Sequence, residues 1–197
     1  MIRVRVLLAA LAFCGFAHGA DLGEARRLVE AQRYAEAIAV YDALLVDRAA
    51  DADLLIETAR VNAWADRHAV AARRYQQAIT VAPHRRGDVV LALAWQLAWD
   101  GRHAEAIPFF REAAERPAQR TEAHYGLAEA QAARGELVDA LATYDAIVTD
   151  TGELRAQLGA ARMLRWMDRH DEAVVRYRAI GAAHPKAQEA WLGLARS

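Results

Sequence analysis

Serine occurs once in the 197 residues, as Ser197, and cysteine once, as Cys14. A serine or cysteine nucleophile must be held in a folded site beside its activating base. Neither a chain-terminal serine nor a cysteine in a removable leader meets that need. Phosphate-cradling glycine loops are missing, and so are pairs of histidines four apart on one helix, which argues against nucleotide chemistry and against a zinc hydrolase. Four prolines and 11 glycines sit mainly between periodic segments, and no run alternates in the manner of a strand. What remains is rich in alanine, leucine, glutamate and arginine, all good helix formers. With 55% hydrophobic residues there is enough apolar material for one helical domain.

The first twenty residues differ from the rest. Arg3 and Arg5 give a basic start, Val6 to Phe16 is an unbroken apolar run, and Ala17-His18-Gly19-Ala20 offers small residues for a peptidase before Asp21. This is the pattern of a bacterial secretory signal peptide, so residues 1–20 are expected to be removed on export to the periplasm. The apolar run is about half the roughly 20 residues that span a bilayer, so no integral membrane span is expected after processing. Bulky Phe13 stands just before Cys14, where a lipid-attachment site would have a small residue, so the chain is not expected to be a lipoprotein. Removal of the leader takes the only cysteine with it and leaves no disulfide or thiolate metal ligand. Arg3 and Arg5 leave too, so 23 of the 25 basic residues face 26 acidic ones, a net charge of about −3. Compartment and charge both speak against a nucleic-acid partner.

The mature part repeats. Trp64-Ala65-Asp66-Arg67-His68 returns as Trp99-Asp100-Gly101-Arg102-His103 and as Trp166-Met167-Asp168-Arg169-His170. Each is followed by an alanine three residues after the histidine and an aromatic four residues further on: Ala71 and Tyr75, Ala106 and Phe110, Ala173 and Tyr177. Ala37 with Tyr41 and Ala140 with Tyr144 complete the series, and the alanines are 34, 35, 34 and 33 residues apart. A period near 34 predicts a solenoid of helix-turn-helix units.

Helix pairs are predicted at 22–32 with 34–46, 52–65 with 68–81, 87–100 with 103–116, 121–133 with 137–149, and 153–166 with 170–183, then a single helix at 187–196. Corners need a residue tolerant of left-handed backbone, supplied by Gly101 and Gly135 and, less freely, by Asp66 and Asp168. Pro83, Pro117 and Pro185 end second helices. The residue that makes one interval 35 is expected in a turn near Arg85-Arg86-Gly87. Small residues recur on the first helices (Ala25, Ala59, Ala94, Ala128, Ala161) and on the second (Ala37, Ala71, Ala106, Ala140, Ala173), which lets paired helices approach closely. The aromatic column Tyr41, Tyr75, Phe110, Tyr144 and Tyr177 is expected between one pair and the next. Leu44, Ala78, Ala113, Ile147 and Ile180 continue its face.

These residues, five times over, resemble the tetratricopeptide repeat (TPR) family across residues 22–185. Departures are Gln32 at the first corner and Gly152 near a proline position. The resemblance implies an all-α, right-handed α-solenoid of about five repeats (21–51, 52–85, 86–119, 120–152 and 153–186) plus the C-terminal helix at 187–196. It also implies a concave groove, lined by first helices, that binds a protein or peptide. The corner Trp-x-(Asp/Gly)-Arg-(His/Tyr) is similar, more weakly, to periplasmic repeat segments of cellulose and poly-N-acetylglucosamine export porins. That second likeness implies a stand-alone or truncated relative, since no barrel strands follow.

If first helices face inward as in the family, the groove columns are Ile56, Leu91, Tyr125 and Leu158, then Arg60, Trp95, Glu129 and Arg162, then Trp64, Trp99 and Trp166, with Arg165 beside the last. Arginine and tryptophan most often carry binding energy at interfaces. Trp64, Trp99 and Trp166 have two open roles, touching a ligand or covering the seam between neighbouring first helices. Asp53, Asp88 and Glu122 sit at helix starts, where the helix dipole favours a negative charge. His68, His103 and His170 occupy equivalent corners about a helix-packing distance of ~8–10 Å apart, too far to share one metal ion. The reading is therefore an exported, non-enzymatic scaffold without cofactor or metal, with a protein or peptide partner. The alternative is a polysaccharide-associated module in exopolysaccharide export, its tryptophans stacked on sugar rings.

Overall fold

The computed structural model describes residues 21–197, so the expected signal peptide lies outside the described residues. Eleven helices follow one another among them: α1 (Leu22–Glu30), α2 (Tyr34–Asp47), α3 (Ala52–Trp64), α4 (His68–Val81), α5 (Arg86–Trp99), α6 (His103–Ala114), α7 (Arg120–Ala133), α8 (Leu137–Thr151), α9 (Leu154–Trp166), α10 (His170–Ala183) and α11 (Gln188–Ala195). Each packs against its neighbours in sequence, and α5 touches α7 and α9 touches α11 across the intervening helix. The architecture is an all-α solenoid of helix-turn-helix units.

The five corners share one construction. Gln32, Asp66, Gly101, Gly135 and Asp168 have φ of 57°, 55°, 79°, 79° and 59°. In each, the following residue's N–H reaches back to a carbonyl of the last helical turn. Arg67 bonds Asn62 O at 2.8 Å, Arg102 bonds Leu97 O at 2.8 Å and Arg169 bonds Leu164 O at 3.0 Å. This ties off carbonyls that a helix end leaves without partners. The corner arginine then folds onto a glutamate three residues on, as Arg33 on Glu36, Arg102 on Glu105 and Arg169 on Glu172.

Between pairs the expectations hold with two corrections. Pro83 opens a short 3-10 turn over Pro83–Arg85, but Arg86 and Gly87 already belong to α5, so only Arg85 of the expected turn lies in one. Arg86 is held there by the Glu112 carboxylate, at 2.8 and 2.6 Å. Helix α6 stops at Ala114, two residues before the predicted end, because the residue before a proline is driven out of helical geometry and Pro117 acts on Arg116. Pro108 stands inside α6, where it removes one backbone donor, and its ring is on the exposed side.

The core is the pair of small columns and the aromatic column. All ten alanines named above are fully buried, and Tyr41, Tyr75, Phe110, Tyr144 and Tyr177 are nearly so. Leu44 is only half-buried, while Ala78, Ala113, Ile147 and Ile180 are buried. Against three of the rings stands a glycine of the next first helix: Gly126 under Phe110, Gly159 under Tyr144 and Gly193 under Tyr177. The equivalent position in α3 is Glu57, which instead accepts a hydrogen bond from the Tyr41 hydroxyl at 3.0 Å.

Candidate functional site

Two hollows open along the first helices, and seven of the twelve expected groove residues divide between them. The first, about 690 Å³, lies between α3 and α5 and is lined by Arg60, Ala63, Trp64, Trp95, Gln96 and Trp99 together with Asp66, His68, Tyr75 and Ala92. The second, about 350 Å³, lies further along and is lined by Glu129, Leu158 and Arg162 with Tyr144, Leu154, Arg155, Gly159 and Glu189.

Aromatic packing shapes the first hollow. Trp95 and Trp99, one helical turn apart, stack with centroids 5.3 Å apart and planes 24° apart, and Trp95 meets Phe110 edge-on at 5.0 Å. His68, at the start of α4, lies 5.4 Å from Trp99 and points Nδ1 at the Gln96 side-chain oxygen, 2.9 Å away. Tyr34 and Trp64 make the same contact one repeat earlier, at 6.2 Å. Trp64 and Trp99 therefore each rest against the residue that opens a second helix. Trp64 and Trp99 nonetheless remain 55% and 57% exposed. Trp166 is 47% exposed and carries the Arg162 guanidinium 5.6 Å from its ring.

The seam is interrupted once. In the fourth repeat Ala133 stands where Trp99 stands and Ala130 where Gln96 stands. His103 accordingly loses both partners, and its Nδ1 is buried without a hydrogen bond among the described residues.

Charge separates the two hollows. In the second, Arg155 binds Glu129 at 2.9 Å, approaches Glu122 at 3.9 Å and lies 3.9 Å over the Tyr125 ring, while Arg162 faces Glu189 at 3.7 Å. Its charges are neutralised within the chain. Arg60, in the first hollow, has no carboxylate within ion-pair distance among the described residues. Burial raises the Tyr75 phenol above its ordinary range, and the neighbouring Arg60 guanidinium opposes that rise. Glu57, one turn before Arg60, is already bound by Arg26 at 2.5 and 3.1 Å and by Tyr41. These partners hold its carboxyl below the usual range, Arg26 foremost.

Two expected groove residues are not surface at all. Ile56 and Tyr125 are buried in the hydrophobic core, because their positions point between first and second helices, while Leu158 keeps 8% of its surface open at the edge of the second hollow. The Tyr125 hydroxyl donates to Glu153 at 2.6 Å, and burial raises its pKa well above the usual phenol range. Leu91 is half-buried against that core, and Arg165 is half-buried and lines neither hollow. Asp53, Asp88 and Glu122 do occupy first turns, but they also make ion pairs: Arg85 grips Asp53 at 2.5 Å and Asp88 at 2.6 Å, while Glu122 faces Arg155. Arg155 was absent from the expected columns although it shares a register with those three acids, and that register was its signal.

Among the described residues no group of three or more His, Cys, Asp or Glu side chains could hold a metal ion, and no helix is long and apolar enough to cross a membrane.

Residues 97–162 match a family model described as tetratricopeptide repeat. The fold is similar to YrrB, a TPR protein with an unusual peptide-binding site, at 20% identity over 86% of this chain and 87% of that one, with a TM-score of 0.71. It is also similar to MamA from residue 41 to its end from Desulfovibrio magneticus, at 14% identity over 88% and 99% of the two chains with a TM-score of 0.73. The C-terminal part of a TPR repeat-containing protein from Cytophaga hutchinsonii gives 14% identity over 89% and 69%, with a TM-score of 0.73. No curated protein matches the sequence. At these identities the likeness is one of fold.

Proposed function

From the TPR fold as premise, we propose that this chain is an exported, non-enzymatic scaffold that holds a protein or peptide segment on the face its first helices form. The observation that carries the reading is the hollow between α3 and α5, where Trp64 and Trp99 keep half their surface open beside Arg60. Large rigid rings give contact area at little entropic cost, so they are the usual anchors of a binding face. The peptide-binding relative with the same fold supports a peptide as occupant. Export to the periplasm rests on the N-terminal sequence alone, and the non-enzymatic reading rests on the likeness to TPR proteins and on the lack of an internal serine or cysteine nucleophile.

Of the expected groove set, Arg60, Trp64, Trp95 and Trp99 form the contact surface, with Glu129, Arg162 and Trp166 further along. Ile56, Tyr125 and Leu158 support them from beneath. The test is capture of partners from periplasmic extract by the unaltered chain and by a Trp99→Ala, Arg162→Ala double variant. Partners lost in the variant, with helicity retained by circular dichroism, support the reading. Unchanged partners place the binding surface elsewhere, and an emission response to oligosaccharides with none to any peptide transfers the site to a polysaccharide.

A further inference from the structure

Charge distribution around the first hollow carries the reading one step further. Corner arginines in the first, third and fifth repeats are each clamped by a glutamate three residues on, but Val70 stands at that place in the second repeat. Arg67 therefore has no clamp, and among the described residues it pairs with no acid. It sits between Asp66 and His68, both of which line the hollow. Arg60, on the wall itself, is likewise without an acid. The acids nearby do not fill the need: Glu57 is taken up by Arg26 and Tyr41, and Asp66 projects into solvent, 94% exposed, 3.9 Å from His68. The aromatic hollow thus carries one unclamped guanidinium, Arg60, and a second, Arg67, is exposed at the corner beside it, whereas the second hollow has its charges paired.

We propose that the hollow between α3 and α5 takes an acidic peptide segment in which an aromatic side chain neighbours a carboxylate, the ring lying on Trp64 and Trp99 and the carboxylate on Arg60 and Arg67. This rests on the peptide-binding reading above and specifies its ligand. A volume of about 690 Å³ holds a ring with the flanking backbone. A guanidinium meets a carboxylate with two parallel hydrogen bonds, which selects for charge as well as position.

Two other occupants fit less well. A cationic ligand, which indole faces attract, would be opposed by Arg60 and Arg67. A neutral sugar could accept a hydrogen bond from Arg60 but would leave its charge unmatched, and the Gln96 amide oxygen is already engaged by His68. Neither would neutralise the unclamped Arg60.

The experiment titrates the full-length chain with short Gly-Ser peptides while tryptophan emission is followed. One peptide carries a central Phe flanked by Asp, a second the same Phe flanked by Lys, and a third Ala flanked by Asp. Expected is binding of the Phe-Asp peptide about tenfold tighter than of either control, weakening as salt rises. An Arg60→Gln, Arg67→Gln double variant, shown folded by circular dichroism, should lose about tenfold for the Phe-Asp peptide and nothing for the Phe-Lys one. Equal affinities for Asp- and Lys-flanked peptides, or an unchanged double variant, overturn the acidic preference. If Trp99→Ala still abolishes binding in that case, the peptide groove itself stands. Silence toward every peptide, with or without a response to oligosaccharides, overturns both readings.

Discussion

The ring of Phe110 in α6 occupies the space that any side chain at Gly126 in α7 would need. A Cβ there would come 2.1 Å from a ring carbon, and Phe110 is itself fully buried with Trp95 set edge-on against it. The glycine is therefore a socket for the preceding repeat's aromatic residue, and the repeats interlock through it.

Gly126→Ala should destabilise the solenoid by about 1–3 kcal/mol, the cost of overpacking a filled core. Helix propensity alone would favour alanine by about 1 kcal/mol. The sign of the change, read from urea unfolding followed by circular dichroism, thus decides between packing and propensity. Gly159→Ala should behave alike, since its Cβ would come 2.6 Å from the Tyr144 ring.

Left-handed corners give a second expectation. Asp66 and Asp168 hold φ of 55° and 59°, a region that costs a residue with a Cβ about 1 kcal/mol. Both are almost wholly exposed, and only their long contacts with His68 and His170 would be lost. Asp66→Gly should raise stability by several tenths to 1 kcal/mol. Gly101→Ala should lower it by a similar amount, although nothing lies within 4 Å of the added Cβ. Thermal midpoints moving in opposite directions would confirm that the corner is a purely conformational demand.

Most of this fold could be read in advance because a repeat shows the same packing decision five times. Ala71 alone is an ordinary helix alanine; Ala37, Ala71, Ala106, Ala140 and Ala173 together mark one column, and all are fully buried. The site was less legible. A column assigned by register does not say where the boundary between core and groove falls, so Ile56 and Tyr125 share the groove columns although they close the interior. Ion pairs such as Arg155 with Glu129 join residues 26 positions apart, and no local pattern announces which of several acids an arginine will meet. Arg60 stands out only once those pairs are drawn.

Acid should weaken the first inter-repeat joint before the hydrophobic seams. The Glu57 carboxyl is held below its ordinary range by Arg26 first and by the Tyr41 hydroxyl, while burial works the other way. Its folded pKa is depressed, so its contribution is fully present above the ordinary carboxylate range and is lost as pH falls through the lowered value. The same window applies to Glu112, bound by Arg86. On the basic side, burial and the Glu57 carboxylate push the Tyr41 phenol up to about 12, so it stays neutral through pH 10. Thermal midpoints should be level from about pH 6 to 8 and fall below about pH 4. In Glu57→Gln, expected to cost about 1 kcal/mol at neutral pH, the acid-dependent drop should be smaller.

Trp99 divides its surface between the protein and the open hollow, and the two shares can be measured separately. The covered share rests on Trp95 and His68, at 5.3 and 5.4 Å between ring centroids. Roughly 100 Å² of apolar surface hidden at about 25 cal/mol per Å² makes Trp99→Ala cost about 2 kcal/mol. Part of that belongs to the pair with His68 across the seam of two repeats. A cycle of Trp99→Ala, His68→Ala and the double variant should return a coupling of about 0.5–1.5 kcal/mol in urea unfolding. Coupling near zero would mean that Trp99 does not join the repeats, and its exposed and covered faces would then both require a bound partner to explain them. Coupling in the expected range assigns the covered face to the solenoid and leaves the 57% that faces outward to the ligand.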